Sequence, residues 1–230
     1  MRKLLLLLAS ASLFASTAAR ADIFDNIQYW VGTGANRAAF EIDWNTGSAN
    51  EAMIWGYRWD GTATGAQMLG AIVAADPRLY AEVSGTTGYG TAVFGLGFHT
   101  SADQNFQLNP TLSFNDQHLS YAASYSAVND SRAPVTAGDF WREGWYKGYW
   151  SYYVSTDTRL SANYTDWGYS GVGMSGRNLT DGAVDGWSFA PGFSTSKPSV
   201  PLDITAVPEP SVLALTVLAG ALLLRRKHQH

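Results

Sequence analysis

The chain has 230 residues, 13% of them aromatic, and a length that suits one domain or one domain with a large insertion. It contains no cysteine, which excludes disulfides, thiolate metal sites and thiol catalysis. The formal net charge is −4, but residues 22–207 hold nine Lys and Arg against eighteen Asp and Glu, a net charge of −9. This acidity argues against binding to nucleic acid or to an anionic membrane.

The first 21 residues have the pattern of a secretory signal peptide. A positive pair at residues 2–3 precedes an apolar run at residues 4–8, and Ala19 and Ala21 form a small-x-small cleavage site. The apolar stretch is shorter than the roughly 20 residues that a membrane span needs. We therefore expect signal peptidase to cut after Ala21.

Two neighbouring segments predict a β-hairpin. Residues 38–44 alternate, with apolar side chains on one side and Glu41 and Asp43 on the other, as in a half-buried strand. Turn residues at 45–48 lead to a returning strand at 51–59. The acidic side of the first strand is expected to face solvent.

One main helix is predicted over about 64–75. Apolar residues between 68 and 73 have helical spacing, Thr64 is a candidate N-cap, and Asp76-Pro77 ends the pattern. Together with the strands, this predicts a β-rich α+β domain, because abundant aromatics and glycines suit pleated surfaces and turns.

Shorter strands and an insertion follow the helix. Strands are predicted at 80–83 and 92–98, and the polar, turn-rich residues 100–138 indicate a long loop or an inserted hairpin. Regular structure is predicted again in the aromatic-rich residues 140–154 and in the Asp-Gly-rich segment 181–189.

The aromatic residues are the strongest candidates for ligand contact. Trp and Tyr combine a flat apolar face with a polar edge, which suits stacking on sugars or corrin rings. Since alternate residues of a strand point inward, about half should belong to the core, and the rest form a binding platform or plain surface. The candidate ligand-binding residues are Trp55, Tyr57, Trp59, Trp145, Trp150 and Tyr152.

The sequence contains no recognisable catalytic constellation. His99 and His118 are the only histidines outside the C-terminal tail, and they lack metalloprotease or triad spacing. Asp43, Glu51 and Asp60 surround the hairpin and suit hydrolysis only if a cleft brings two of them together. Solvated strand faces explain them more simply, so we predict a protein that is not an enzyme.

A metal site and a cofactor are likewise not predicted. Asp181 and Asp185 flank a glycine-containing turn, but the alternating acidic order of an EF-hand is absent. We predict no catalytic residue, no metal ligand and no cofactor.

The C-terminus combines a short motif, an apolar run and a basic cluster. Val207-Pro208-Glu209-Pro210 precedes apolar residues 212–224 and then Arg225-Arg226-Lys227. The prolines favour an extended segment, and the run behind them would enter a membrane as a short helix with its basic end at the cytoplasmic face. A plain C-terminal anchor is the alternative, although thirteen residues are few for one.

This order resembles the PEP-CTERM sorting signal of Gram-negative bacteria that make exopolysaccharide. The resemblance implies a transient hold in the inner membrane, processing by an exosortase-type peptidase near Pro208-Glu209-Pro210, and release to the cell surface or extracellular matrix. Arg225, Arg226 and Lys227 would be the basic stop.

Three blocks in the middle of the chain, at residues 62–69, 148–154 and 179–189, occur in the order of another known pattern. Together with the hairpin they resemble the small β-grasp domain of transcobalamins and of many bacterial surface proteins. Asp181-Gly182-Ala183 stands where that pattern has Asp-Gly-Asp, and the insertion after Phe98 is unusually long. The resemblance implies a flat ligand such as a corrinoid.

The predicted organisation is a signal peptide at 1–21, an exported β-rich domain at 22–193, a spacer at 194–206 and a sorting signal with a hydrophobic helix at 207–230. The leading hypothesis is a non-enzymatic surface or matrix protein that binds a small molecule or a polysaccharide. The alternatives are a structural or adhesive exopolysaccharide-associated protein and a carboxylate-based hydrolase.

Overall fold

The computed structural model describes residues 22–47, 51–85, 90–101, 105–156, 167–195, 197–199 and 205–207. These ranges confirm a β-rich domain with one α-helix. The predicted signal peptide and the hydrophobic segment after Pro210 lie outside the described residues. In the part of the chain that is described, no helix is long and apolar enough to cross a membrane.

The described elements comprise thirteen strands and the helix α1 (Gly65–Ala75). The strands are β1 (Trp30–Gly32), β2 (Asn36–Asp43), β3 (Ala52–Trp59), β4 (Leu79–Ser84), β5 (Val93–Phe98), β6 (Leu108–Asn109), β7 (Leu119–Ala122), β8 (Ala133–Pro134), β9 (Phe140–Glu143), β10 (Gly148–Ser155), β11 (Gly168–Tyr169), β12 (Ala183–Pro191) and β13 (Thr205–Ala206). Short 3-10 turns lie at Ile23–Asn26 and Tyr125–Ala127.

Seven strands form a large mixed sheet in the order β1-β3-β2-β12-β10-β11, with β13 beside β3. The predicted hairpin is confirmed as the antiparallel pair of β2 and β3. The late strand β12 runs parallel to β2 and antiparallel to β10, so residues far apart in sequence meet at the centre of the sheet.

The large sheet is covered on both faces. Its inner face packs with α1 and with strands β4 and β5 in the main core. Its outer face packs with the N-terminal residues Ile23, Phe24 and Ile27 and with Trp167. The expectation of a half-buried β2 is therefore wrong: Glu41 and Asp43 on the outer face are 0% and 4% exposed.

Helix α1 begins and ends as its sequence predicts. Thr64 and Gln67 form a reciprocal capping box, and Asp76 follows the last helical turn. The buried Asp76 carboxylate accepts hydrogen bonds from Arg78 at 2.8 Å and from the Trp55 indole at 3.0 Å. These contacts fix the end of the helix to the start of β4 and to the hairpin.

A second sheet has the order β7-β4-β5-β9. Strand β7 comes from the predicted insertion and pairs parallel with β4, while β6 and β8 form a separate antiparallel pair. Tyr80, Phe106, Leu108 and Trp141 form a small core under this segment. The insertion is thus a folded cover over the second sheet, as its content of Phe and Leu allows.

The described part of the predicted spacer is packed on the domain. The Ser199 amide and hydroxyl donate to Asp43 Oδ2 at 2.9 and 2.8 Å. Strand β13 pairs with Met53 and Ile54 of β3, and Val207 is 1% exposed. These residues of the predicted spacer, and Val207 after it, therefore contact the folded domain.

Two glycines of α1 make a matched stability test. A Cβ on Gly65 would lie 2.5 Å from the Tyr152 hydroxyl and 3.2 Å from the Met174 carbonyl oxygen, whereas a Cβ on Gly70 meets nothing within 4 Å. We expect Gly65→Ala to destabilise the fold by about 1–3 kcal/mol through overpacking. We expect Gly70→Ala to stabilise it by about 0.5–1 kcal/mol, because alanine favours a helix interior over glycine. Urea unfolding of both variants measures the difference, and equal effects would contradict this packing.

Candidate functional site

The predicted aromatic residues of the hairpin belong to the core side of the sheet. Trp55, Tyr57 and Trp59 alternate along β3, so all three point to the inner face. Trp55 is 0% exposed and Trp59 5% exposed, and Tyr57 stacks on Trp59 with ring centroids 5.6 Å apart. Trp55 and Trp59 therefore offer no exposed face to a ligand, contrary to the prediction, and Tyr57 is half-buried.

The other three predicted residues meet in one cavity of about 350 Å³. Trp145, Trp150 and Tyr152 line it together with Tyr149, Tyr169 and Trp187. Its opposite wall is formed by the start of β5 and by the segment around Met174. We call this cavity the aromatic pocket; it lies where the large sheet meets the second sheet.

Trp145 stands at the rim of the aromatic pocket and is 43% exposed. Tyr125 stacks on its ring with centroids 5.6 Å apart and planes 22° apart, and Phe94 meets it edge-on. The Asp130 carboxylate accepts hydrogen bonds from the backbone amides of Trp145, Tyr146 and Lys147, which fixes the turn between β9 and β10. These contacts hold the indole in place before any ligand arrives.

The floor of the aromatic pocket is a stacked pair from two neighbouring strands. Tyr152 and Trp187 are register partners, with ring centroids 4.5 Å apart and planes 13° apart. The Tyr152 hydroxyl donates to the fully buried Asp185, which also accepts from Arg177 Nη2 at 3.1 Å. Burial raises the pKa of Tyr152, and the negative charge of Asp185 raises it further. The phenol therefore remains a proton donor.

Burial also raises the pKa of Asp185, while the hydrogen bond from Tyr152 and the charge of Arg177 oppose that rise. Asp181 is not part of this cluster; its carboxylate accepts from the Arg37 amide at 2.9 Å. The two carboxylates thus serve different contacts. Among the described residues, no three or more His, Asp or Glu side chains form a metal-binding group.

Two of the hairpin carboxylates of the hydrolase hypothesis lie near each other, but Asp43 of that pair is only 4% exposed, and the third carboxylate lies apart. Asp43 and Glu51 lie at one end of the hairpin and Asp60 follows its other end, after an eight-residue strand that spans roughly 26 Å. Glu51 accepts from the Thr46 hydroxyl at 2.6 Å, and Asp60 accepts from the Ala35 amide at 3.0 Å. These contacts assign both to turns.

The two histidines make separate contacts: His99 is buried and His118 is half-buried. His99 Nδ1 is 2.7 Å from Asp139 Oδ2, and both side chains are buried. The His118 ring packs on Tyr80 with centroids 4.8 Å apart.

A close carboxylate pair that sequence reasoning missed lies in the second sheet. Glu82 on β4 and Glu143 on β9 flank Gly95 of β5 in register, so their side chains approach over a position without a side chain. Arg132 from the insertion binds Glu143 and lies 3.7 Å from Glu82, and the Trp141 indole donates to Glu143 at 3.1 Å. The pairing depends on long-range register, for which the local sequence carries no signal.

Glu82 and Glu143 share one arginine, Arg132, which binds Glu143 and lies farther from Glu82. Burial, and next the charge of Glu143, raise the pKa of Glu82 to about 8, although Arg132 lowers it in part. Both side chains are buried, with Glu82 2% and Glu143 5% exposed.

Comparison with known proteins gives no relative: no family model, no curated protein and no solved structure matches this chain. The assignment of function therefore depends on the site itself.

The Glu82 carboxyl predicts a pH dependence of stability. Its pKa is about 8 in the folded protein against an ordinary value of 4.5, so between these values the folded state binds a proton that the unfolded chain releases. Its contribution to the free energy of unfolding therefore falls as pH rises through this window. We expect Glu82→Gln, which stays neutral, to have a smaller decline in unfolding free energy between about pH 5 and pH 8.

Urea titrations across that range measure this decline. The test compares the decline in Glu82→Gln with that in the wild type, because buried Glu41, Asp43 and Asp185 titrate in both proteins. Asp116→Asn, at an exposed carboxylate, is the matched control and should keep the wild-type dependence. A decline in Glu82→Gln equal to that of the wild type would contradict a raised pKa of Glu82 beside Glu143.

Proposed function

We propose that this chain is an exported surface or matrix protein whose aromatic pocket binds one or two sugar rings of a polysaccharide. The observation that carries the proposal is the pre-positioned Trp145 at the rim of a pocket lined by further Trp and Tyr rings. Such rings stack on the apolar faces of sugars while hydroxyls at their edges bond to sugar hydroxyls. A binding role without catalysis requires no more than this surface.

Pocket size favours a sugar over a corrinoid. The volume of about 350 Å³ lies near the lower end of the range for small-molecule sites, roughly 300–1,000 Å³. A corrin ring with its substituents would extend well beyond this cavity. The exposed Tyr169, 59% accessible, continues the pocket toward solvent and suits a chain that enters and leaves.

We further infer that the domain is β-grasp-like. The β2–β3 hairpin leads into α1, and the late strand β12 runs parallel to β2 in the middle of the sheet. This order supports the resemblance to the small β-grasp surface domains, with strands β4 to β9 as an addition.

An adhesive role is the second candidate. Large apolar side chains remain exposed outside the pocket, including Tyr121 at 61%, Tyr146 at 56% and Phe193 at 52%. Aromatic residues are enriched at protein contact surfaces relative to the rest of the surface. The carboxylate hydrolase gains no support from the positions of Asp43, Glu51 and Asp60.

A separate proposal concerns export and sorting by the two terminal segments. We propose cleavage after Ala21, a temporary hold in the inner membrane and exosortase-type processing at Pro208-Glu209-Pro210. Support comes from the order of motif, apolar run and basic cluster in the sequence. The folded part described here reaches Val207, next to that motif.

The sugar-binding proposal predicts a loss of affinity on removing Trp145. A glycan array identifies the oligosaccharide probe, and isothermal titration then compares variants. We expect Trp145→Ala to weaken binding about three- to tenfold, because one aromatic stacking contact contributes about 0.5–1.5 kcal/mol beyond burial. Tyr121→Ala, which removes an exposed ring outside the pocket, is the control and should bind as wild type. Equal binding by Trp145→Ala, or binding of cobalamin in place of any glycan, would overturn the proposal.

The sorting proposal predicts the termini of the released protein. Mass spectrometry of surface-released material should find a first residue of Asp22 and no Arg225-Arg226-Lys227. Replacing Pro208 and Pro210 by alanine should retain the protein in the membrane fraction. Released protein with an intact basic tail would contradict sorting.

A further inference from the structure

The outer face of the large sheet contains buried polar groups whose hydrogen-bonding capacity is unused. Both carboxylate oxygens of Glu41 lack a hydrogen-bond partner, as do the hydroxyls of Ser151 and Ser188, in the part of the chain that the structure describes. All three residues are 0% exposed. Buried polar groups without partners cost free energy, so three of them on one face indicate a missing occupant.

Strand register places these groups together. Asp43 of β2, Ser188 of β12 and Ser151 of β10 form one row across three adjacent strands. Glu41 lies two residues before Asp43 and therefore on the same face. Since adjacent strands lie about 4.8 Å apart, Asp43 and Ser188 are direct neighbours, Glu41 lies diagonal to Ser188 on the same face, and Ser151 is one strand further away.

The surroundings close this group off from water. Gly186 is the register partner of Glu41, and Trp167 and Pro198 pack within 2.8 Å of where its Cβ would stand. Asp43 is held in place by the Asn45 amide at 2.9 Å and by the amide and hydroxyl of Ser199. The Asp43 carboxylate therefore has a fixed position, and the cluster lies under a cover.

The charge of the group selects a cation as the occupant. The ion pairs of the described residues include neither Glu41 nor Asp43. Water would satisfy the serine hydroxyls but would bring no positive charge to the two buried carboxyl groups. Carboxylate and hydroxyl oxygens are ligands of hard cations, and calcium tolerates irregular arrangements that magnesium does not.

We propose that Glu41, Asp43 and Ser188 bind a calcium ion on the outer face of the large sheet, with Ser151 reaching it through a water molecule. The site has only two carboxylates and depends on hydroxyl and water oxygens for the rest of the coordination. Extracellular calcium modules have dissociation constants of about 10⁻⁴–10⁻³ M, and a site with two carboxylates belongs in this range.

Calcium titration of the full-length chain in mild detergent, after treatment with a chelator, tests the site. We expect the melting temperature to rise with calcium and to approach saturation at about 10 mM, and to rise much less with magnesium. Terbium should replace calcium and show luminescence sensitised by Trp167, which lies over the register partner of Glu41. No thermal shift and no terbium luminescence in the wild type would overturn the proposal, as would an equal response to magnesium.

Variants assign the response to this site. Glu41→Gln keeps the shape of the side chain, and we expect it to fold but to lose the calcium response. Ser188→Ala should weaken calcium binding several-fold and serves as the second test if Glu41→Gln does not fold. Asp60→Asn, at an exposed carboxylate of the same hairpin, should respond like the wild type. A full calcium response in both Glu41→Gln and Ser188→Ala would place the ion elsewhere and overturn the proposal.

Discussion

Asp185 lies fully buried in the middle strand of the large sheet and joins three parts of the fold. It binds Tyr152 from the neighbouring strand β10 and Arg177 from the loop before β12. That loop in turn accepts the first amide of α1, because the Arg177 carbonyl receives a hydrogen bond from the Gly65 amide at 3.0 Å. The start of the helix, the centre of the sheet and the floor of the aromatic pocket therefore depend on one buried carboxylate and its two partners.

This dependence explains the geometry of the pocket. Tyr152 stacks on Trp187 because its hydroxyl is held below by Asp185, and the stack leaves one fixed aromatic floor. Trp145 is fixed separately, by Tyr125 and by the turn that Asp130 caps. A site assembled from two independently supported parts is organised in advance, which lowers the entropy cost of binding.

The sequence correctly predicted the features that depend on interactions between residues close together in the chain. The hairpin and α1 follow from alternation, helical spacing and the Thr64 cap, and the structure has both. Local sequence could not say which aromatic residues are core, because Trp55 and Trp145 have similar neighbours and differ only in what packs on them. Glu41 and Asp43 were expected in solvent for the same reason: their cover comes from Trp167 and Ser199, more than 100 residues away. The pairing of Glu82 with Glu143 likewise requires the register of three strands.

The position of β13 has a mechanical consequence. This two-residue strand and β1 lie along the same edge of β3, at Met53 to Ile54 and at Gly56 to Arg58. The two residue pairs of β13 and the buried Val207 are the last described attachments of the chain before the sorting motif. If the tail is held in the membrane as proposed, it would pull on this edge before any other part of the sheet. The strand pairing at the edge of β3 would then break first, and the aromatic pocket at the opposite side of the sheet would keep its shape.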